Sequence, residues 1–537
     1  MKMKTKLIFF LILTFSFILH VNAGSATWNV NPVNNDWNNP ANWTPPTVPE
    51  EMGDIATFGP SSITSLSFSA DVIVSGIVFQ PDASEYTITV SRHDKIVYLI
   101  GNPDGAIINQ SGKVQKFVGV GTVCPLHCSG DAFWFQQISL GPLLDFTAAA
   151  SNIRFVDQVG PVTANFTIRA ARQADSSPGS LVFTSLGGNT DAGDSMITLE
   201  GASVDGAQGG QAIFGASAGY ASAGNAIITA NGGTTTGALG GSVSFALGGR
   251  AKSATLIANG GTNGGEGGLI FFDTAAAPNT TARIELFGNG TLDTSGEYFV
   301  PFRIGSLEGS GTVSLGRVTL VTGSNNLSTT VSGIIQDEGI ITTGPGSLKK
   351  VGTGTLTLEG ANTYTGGTTI NEGTLIVGNS TGSATGTGRV RVNGGTLGGQ
   401  GTIAGAVLIG TGNGPGAFLA PSAEVSELTI FTTQDKLSFR ADGTYTYMLN
   451  TDTAAGDQVV ANGIRIESGA QFDFDLIGNQ ELDIGQVFTP ISNTSTRRIS
   501  GTFSNLADGS IVTINGNNFQ ASYSGGDGND LTLTVVP

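Results

Sequence analysis

The sequence predicts an all-β chain wound into an elongated solenoid of stacked coils, and three observations lead there. Glycine supplies 80 of 537 residues, roughly twice the usual share, and each glycine in a helix interior costs about 1 kcal/mol. Charged side chains make up only 12% of the chain, about half the usual proportion, which suits a ladder in which stacked like charges would repel. A short apolar pattern also recurs at a nearly constant interval through the middle of the chain. One such unit cannot bury a core alone, so the units must stack.

At the N-terminus, Lys2, Lys4 and Lys6 precede an apolar run from Leu7 to Leu19, and Val21-Asn22-Ala23 offers small residues before Gly24. This is the pattern of a secretory signal peptide over 1–23, with cleavage expected between Ala23 and Gly24. The run is shorter than the ~20 residues that span a bilayer, and no later segment reaches that length. The mature chain is therefore expected to carry no transmembrane segment, to be exported through the inner membrane, and to be secreted or held at the cell surface. The formal net charge is −17, and processing removes three lysines and no acid. Such a balance argues against nucleic acid as a partner, because that chemistry calls for a basic stripe.

Residues 24–60 hold Trp28, Trp37 and Trp43. Two roles suit three indoles so close together. They can plug the apolar end of a first coil, or they can stand exposed and stack on sugar rings as glycan contacts; capping is the favoured reading. Further on, Cys124-Pro-Leu-His127-Cys128 reads, in an exported chain, as a small disulfide across a turn. Free thiols and a metal site are the alternatives, although Cys124, Cys128 and His127 supply three ligands where four are needed. The sequence assigns no metal, cofactor or catalytic residue.

From 61 to 346 the chain reads as a Gly-rich solenoid with units of about 30 residues. Gly179-Ser-Leu-Val-Phe183, Gly210-Gln-Ala-Ile-Phe214, Gly241-Ser-Val-Ser-Phe245 and Gly268-Leu-Ile-Phe-Phe272 share one pattern, and the leading glycine returns at a nearly constant interval. Between them lie second apolar stretches, Met196 to Leu199, Ala226 to Thr229, Thr255 to Ala258 and Ile284 to Leu286. Gly201 to Ala275 holds 20 glycines and no proline, which excludes collagen. The recurring apolar triplets exclude a flexible linker. Glycine is expected to supply positive-φ corners between inward-facing strands.

From 347 to 434 the spacing shortens. Leu356, Leu358, Ile370, Leu375, Val377, Val390, Val392, Leu397, Ile403 and Leu408 fall in short predicted strands. Gly352 to Gly378 reads GTGTLTLEGANTYTGGTTINEGTLIVG, and the whole stretch resembles the autotransporter-associated β-strand repeat of bacterial exported passenger proteins. Ala26 to Phe58, with the three tryptophans and Asp54, resembles the opening segment of such chains. Gly501 to Val536, within a closing region spanning 435–537, is similar to the segment that ends them. The resemblance implies a right-handed parallel β-helix, with no common activity or catalytic residues to carry over. Self-exporting members end in a membrane barrel of strands about ten residues long. The residues after Gly378 read instead as further repeats and the closing segment, so the expectation is a passenger-like chain without that barrel.

Three motifs imitate chemical sites. Gly525-Gly-Asp-Gly-Asn-Asp530 matches the start of a calcium nonapeptide but then falls out of phase, so a turn into the last strand is expected. Gly193-Asp194-Ser195 resembles a serine-protease nucleophile segment, yet Met196 follows and only His93 or His127 could serve as base. Asp473 and Asp475 share one strand face about 6.6 Å apart, near the inverting-glycosidase separation; alternation with Phe472, Phe474 and Leu476 makes them a solvated face instead. At about 25 residues per coil, the mature chain makes roughly 20 coils and a rod on the order of 100 Å. The function expected is a non-enzymatic extracellular scaffold or adhesin-like surface protein, with cell-envelope or matrix glycans or surface proteins as partners. The competing reading is a carbohydrate-active β-helix enzyme, a polysaccharide lyase or hydrolase.

Overall fold

The computed structural model describes residues 24–91, 95–101, 106–121, 130–157, 159–273, 280–297, 301–423 and 428–537. Residues 1–23, His93 and the stretch with Cys124, His127 and Cys128, where a disulfide is expected, lie outside them. Among the described residues there is no α-helix, only one 3-10 turn at Pro40–Asn42 and a long series of short strands.

Nearly all strand pairing is parallel and joins each coil to the next. Among the described residues the first ladder runs through seventeen strands, from Ser65–Leu66 to Gln471–Ile477. At ~4.8 Å per step it is about 80 Å long. A second ladder runs from Val72–Val74 to Ile334–Gln336. A third takes over from Phe302–Arg303 to Ile464–Ile466. The chain is thus a parallel β-helix whose turns vary in length: Phe166 lies opposite Ile197 across a long turn, and Leu358 opposite Val377 across a much shorter one. Short strands stay in register while corners absorb the difference.

The recurring triplets become the core. Phe155, Phe183, Phe214, Phe245 and Phe272 form a stack inside the second ladder, with successive ring centroids 4.8, 5.0, 5.1 and 4.9 Å apart and planes within 14°. The offset ring stack adds to the area each phenyl buries. The second apolar stretches pair as Met196, Ile227, Thr255 and Arg283 at their leading positions, the second strand starting one residue later than its sequence suggests. In the 347–434 region every apolar residue singled out lies in a strand. All are buried except Leu408, which faces outward.

The glycines leading the four Phe units do a different job from the one expected. None of them adopts positive φ. A Cβ on Gly179, Gly210, Gly241 or Gly268 would collide with the carbonyl of Ala148, Ile168, Leu199 or Ala230 respectively. They permit backbone to touch backbone between coils. The left-handed corners belong to other residues, among them Gly193, Gly224 and Gly237.

Both ends depart from simple winding. At the start, Ala26–Trp28 pairs antiparallel with Trp43–Thr44 and parallel with Ile55–Phe58. Trp28, Trp37 and Trp43 are at most 1% exposed, so the reading of these indoles as glycan contacts is corrected. Their rings pack edge-to-face on each other at 5.0–5.1 Å and against Phe58. Each indole N–H donates to a carbonyl, of Ile63, Pro49 and Trp37 in turn. No ring face is left for a sugar, because those faces close the first coil. At the other end, Val487–Asn493, Asp530–Val536, Asn517–Gly525 and Ile511–Ile514 pair antiparallel in that order.

Candidate functional site

The outward row of the second ladder places Gln211, Ser242, Leu269, Thr291 and Thr312 opposite one another on successive coils. This row is the floor of an open cleft of about 710 Å³. Glu266 and Asn289 rise from corners on one side, Glu338 and Ile340 on the other. The far wall is a loop after the strand Ile334–Gln336, strapped down by residues far earlier in the chain. Asp293, itself buried, accepts the Ile340 N–H at 2.8 Å through one carboxylate oxygen and the Ser295 N–H at 2.8 Å through the other. Ser295 Oγ accepts from Ile341 N at 3.0 Å, and Thr342 Oγ1 donates back to the Ser295 carbonyl at 2.8 Å. The loop's far end is held by Asp337, which accepts from Gly346 N and from the Thr365 N–H and hydroxyl. Ile340, 61% exposed, is thereby held out at the cleft's edge.

The cleft therefore offers amides, hydroxyls and two carboxylates, Glu266 and Glu338, repeated at the coil spacing. That set can hydrogen-bond an extended polar chain. Asp293 is committed to the backbone of the loop, each carboxylate oxygen accepting one main-chain N–H. The Asp293–Ile340 contact carried no signal in the sequence, since no local pattern links positions so far apart.

The stretch resembling a passenger repeat is one complete turn whose distinctive residues are internal. Asn362 is buried; its side-chain oxygen accepts from Ile335 N at 2.7 Å, and its amide donates to the Ala384 carbonyl, which ties the coil before to the coil after. Tyr364 is buried with its hydroxyl against Thr368 Oγ1, and burial holds its phenol above the ordinary tyrosine range. Gly367, at φ +94°, leaves room for the Arg389 carbonyl, which a Cβ would meet at 2.5 Å. Lys350 points inward and is 1% exposed. Its ammonium donates to the carbonyls of Val351, Gly352 and Glu372 at 2.9, 2.7 and 3.2 Å. Burial pushes its pKa down to about 8, with Glu372 opposing. The motif is a set of devices that close a corner.

The imitated sites resolve into structural roles. Ser195 is buried and donates to the Val162 carbonyl at 3.0 Å. Gly525 and Asp530 face each other across a hairpin, and Asp530 accepts from Asn493 N at 2.8 Å. Asp473 and Asp475 lie on the exposed face of their strand. Among the described residues, no group of three or more His, Cys, Asp or Glu is disposed to hold a metal, and no helix is long and apolar enough to cross a membrane.

Comparison with known proteins agrees with the reading of the repeat. Residues 348–377 match the family model Passenger-associated-transport-repeat. A stretch of 127 residues is 39% identical to the adhesin BmaC autotransporter of Brucella suis biovar 1 (strain 1330), covering 22% of this chain and 4% of that protein. The chain thus spans a small part of the length of this relative. The crystal structure of the Haemophilus influenzae Hap adhesin aligns over 90% of this chain and 64% of its own, at 12% identity and a TM-score of 0.26. The chain is a parallel β-helix that carries an autotransporter-passenger repeat as one of its coils.

Proposed function

We propose that the protein is an exported, adhesin-like β-helical passenger that holds ligands along its surface without transforming them. The observation that carries this reading is the continuous ladder, whose outward rows repeat polar side chains coil by coil while the repeat motif is consumed in holding the coils together. The relative matched over 127 residues is named an adhesin, which supports surface attachment as the role. Repeated weak sites on one rod gain strength by avidity. Cell-envelope or matrix glycans and surface proteins are the partners proposed.

The test is to incubate the full chain with cells and with a panel of neutral and acidic polysaccharides, with and without calcium. Attachment without turnover supports the reading. New reducing ends or unsaturated uronate absorbance, abolished by Glu266→Gln or Glu338→Gln, would overturn it in favour of a carbohydrate-active enzyme.

A further inference from the structure

The third ladder carries an outward row that its acidic chain does not foreshadow. Pairing places Lys349, Thr369, Arg391, Leu408, Ser438 and Arg465 opposite one another on successive coils, and a bridge extends the row to Ser500. Three of these positions are cationic and none is acidic, in a chain of 24 Lys and Arg against 41 Asp and Glu. At ~4.8 Å per coil, Lys349 and Arg391 stand about 10 Å apart and Arg391 and Arg465 about 14 Å. Arg389 and Lys436 flank the same strands.

The row runs into an open groove of about 960 Å³. Arg465, Lys436, Arg497 and Arg498 line it together with the hydroxyls of Ser468, Thr494, Ser495, Thr496 and Ser500. Two carboxylates also line it, Asp435 and Glu467. Glu467 is engaged by Arg440 at 3.2 Å and by Arg465 at 3.3 Å. Arg497 and Arg498 are exposed.

We propose that this row and groove form a track for a linear acidic polysaccharide of the uronate class. The proposal rests on the adhesin-like reading for the encounter with glycans and names the ligand class and the site. Guanidinium groups grip carboxylates through paired N–H donors, and their recurrence along the coil axis suits a polymer whose charges recur along its length. The hydroxyl-rich lining supplies partners for sugar hydroxyls, which a bare anion would leave unused. Nucleic acid fits less well, because among the described residues lining the groove there is no aromatic side chain for base stacking.

The experiment measures binding of the full chain to polygalacturonate, with dextran and inorganic polyphosphate as comparison polymers, for the wild type, R391A/R465A, R497A/R498A, R465K and R172A. All these side chains are exposed, and circular dichroism verifies folding. Saturable binding to polygalacturonate, weakened on the order of tenfold by either double alanine variant, weakened less by R465K, which keeps the charge but loses the paired donors, and unchanged by R172A, is expected. Absence of such binding, equal loss in R172A, or polyphosphate bound as tightly as polygalacturonate would overturn the track. Cell attachment of the wild type is scored in parallel: attachment without polygalacturonate binding defeats only the track, whereas absence of both defeats the adhesin-like reading too.

Discussion

Gly24 packs directly against Asp54: a Cβ at Gly24 would run into the Asp54 carboxylate. Asp54 is buried, and one of its oxygens accepts the N–H groups of Glu50 and Glu51 at 3.2 and 3.0 Å. Cleavage after Ala23 would create an ammonium one bond from this contact. Asp54→Ala is expected to destabilise the processed chain by about 1–3 kcal/mol, since two N–H groups lose their acceptor. Urea unfolding of exported protein checks this. Intact mass should place its first residue at Gly24, and retention of Lys2 to Lys6 would defeat the export reading.

Phe214→Ala interrupts the aromatic stack between Phe183 and Phe245. The lost burial and the cavity together are expected to cost about 3–5 kcal/mol, read as a lowered urea midpoint. Phe214→Leu should lose clearly less, because it keeps most of the volume. Equal losses would mean that ring stacking, not filling, governs the site.

Lys350 predicts a pH dependence of definite sign. Its folded pKa is pushed down to about 8 from an ordinary value of 10.5, so between those values the unfolded chain binds more protons. Its contribution to stability therefore rises with pH from about 8 upward. Tyr86, raised by burial to about 12 from 10.0, acts oppositely once pH passes 10, because only the folded chain keeps that proton. The clean window is pH 8 to 10. Lys350→Met should flatten the rise there, while costing about 1–3 kcal/mol through three carbonyls left without their donor. An unchanged slope in the variant would sink the assignment.

The buried indoles make a spectroscopic prediction. In a Trp134→Phe variant, emission from Trp28, Trp37 and Trp43 should be blue-shifted and resist acrylamide quenching. Added polysaccharide should leave it unmoved even where binding is saturated. A ligand-dependent shift would restore these residues as glycan contacts.

How much was legible follows from which contacts are local. The Gly-to-Phe units declared both the coil and its core, since strand alternation and a near-constant interval lie on the surface of the sequence. Lys350 was hidden because two adjacent lysines look alike until alternation sends Lys349 out and Lys350 in. The basic row was hidden by corner length. Lys349, Thr369, Arg391 and Leu408 align across turns of unequal length, so no single period reveals them. The strap from Asp293 to Ile340 likewise spans two coils with no repeating sign. For the tryptophans, residue type allowed both a cap and a sugar platform, and only the pairing of Ala26–Trp28 with Trp43–Thr44 decided between them.

The variable turns have a mechanical consequence. Hydrogen bonds between coils point along the rod, so tension on its two ends loads them directly. Because each coil holds mainly to its neighbours, rupture proceeds from an end, one turn at a time. A turn of roughly 20–30 residues releases on the order of 65–100 Å of extended chain when it lets go. Unequal turns make unequal steps, and a rod pulled at its two ends would dissipate a sudden load over many small events.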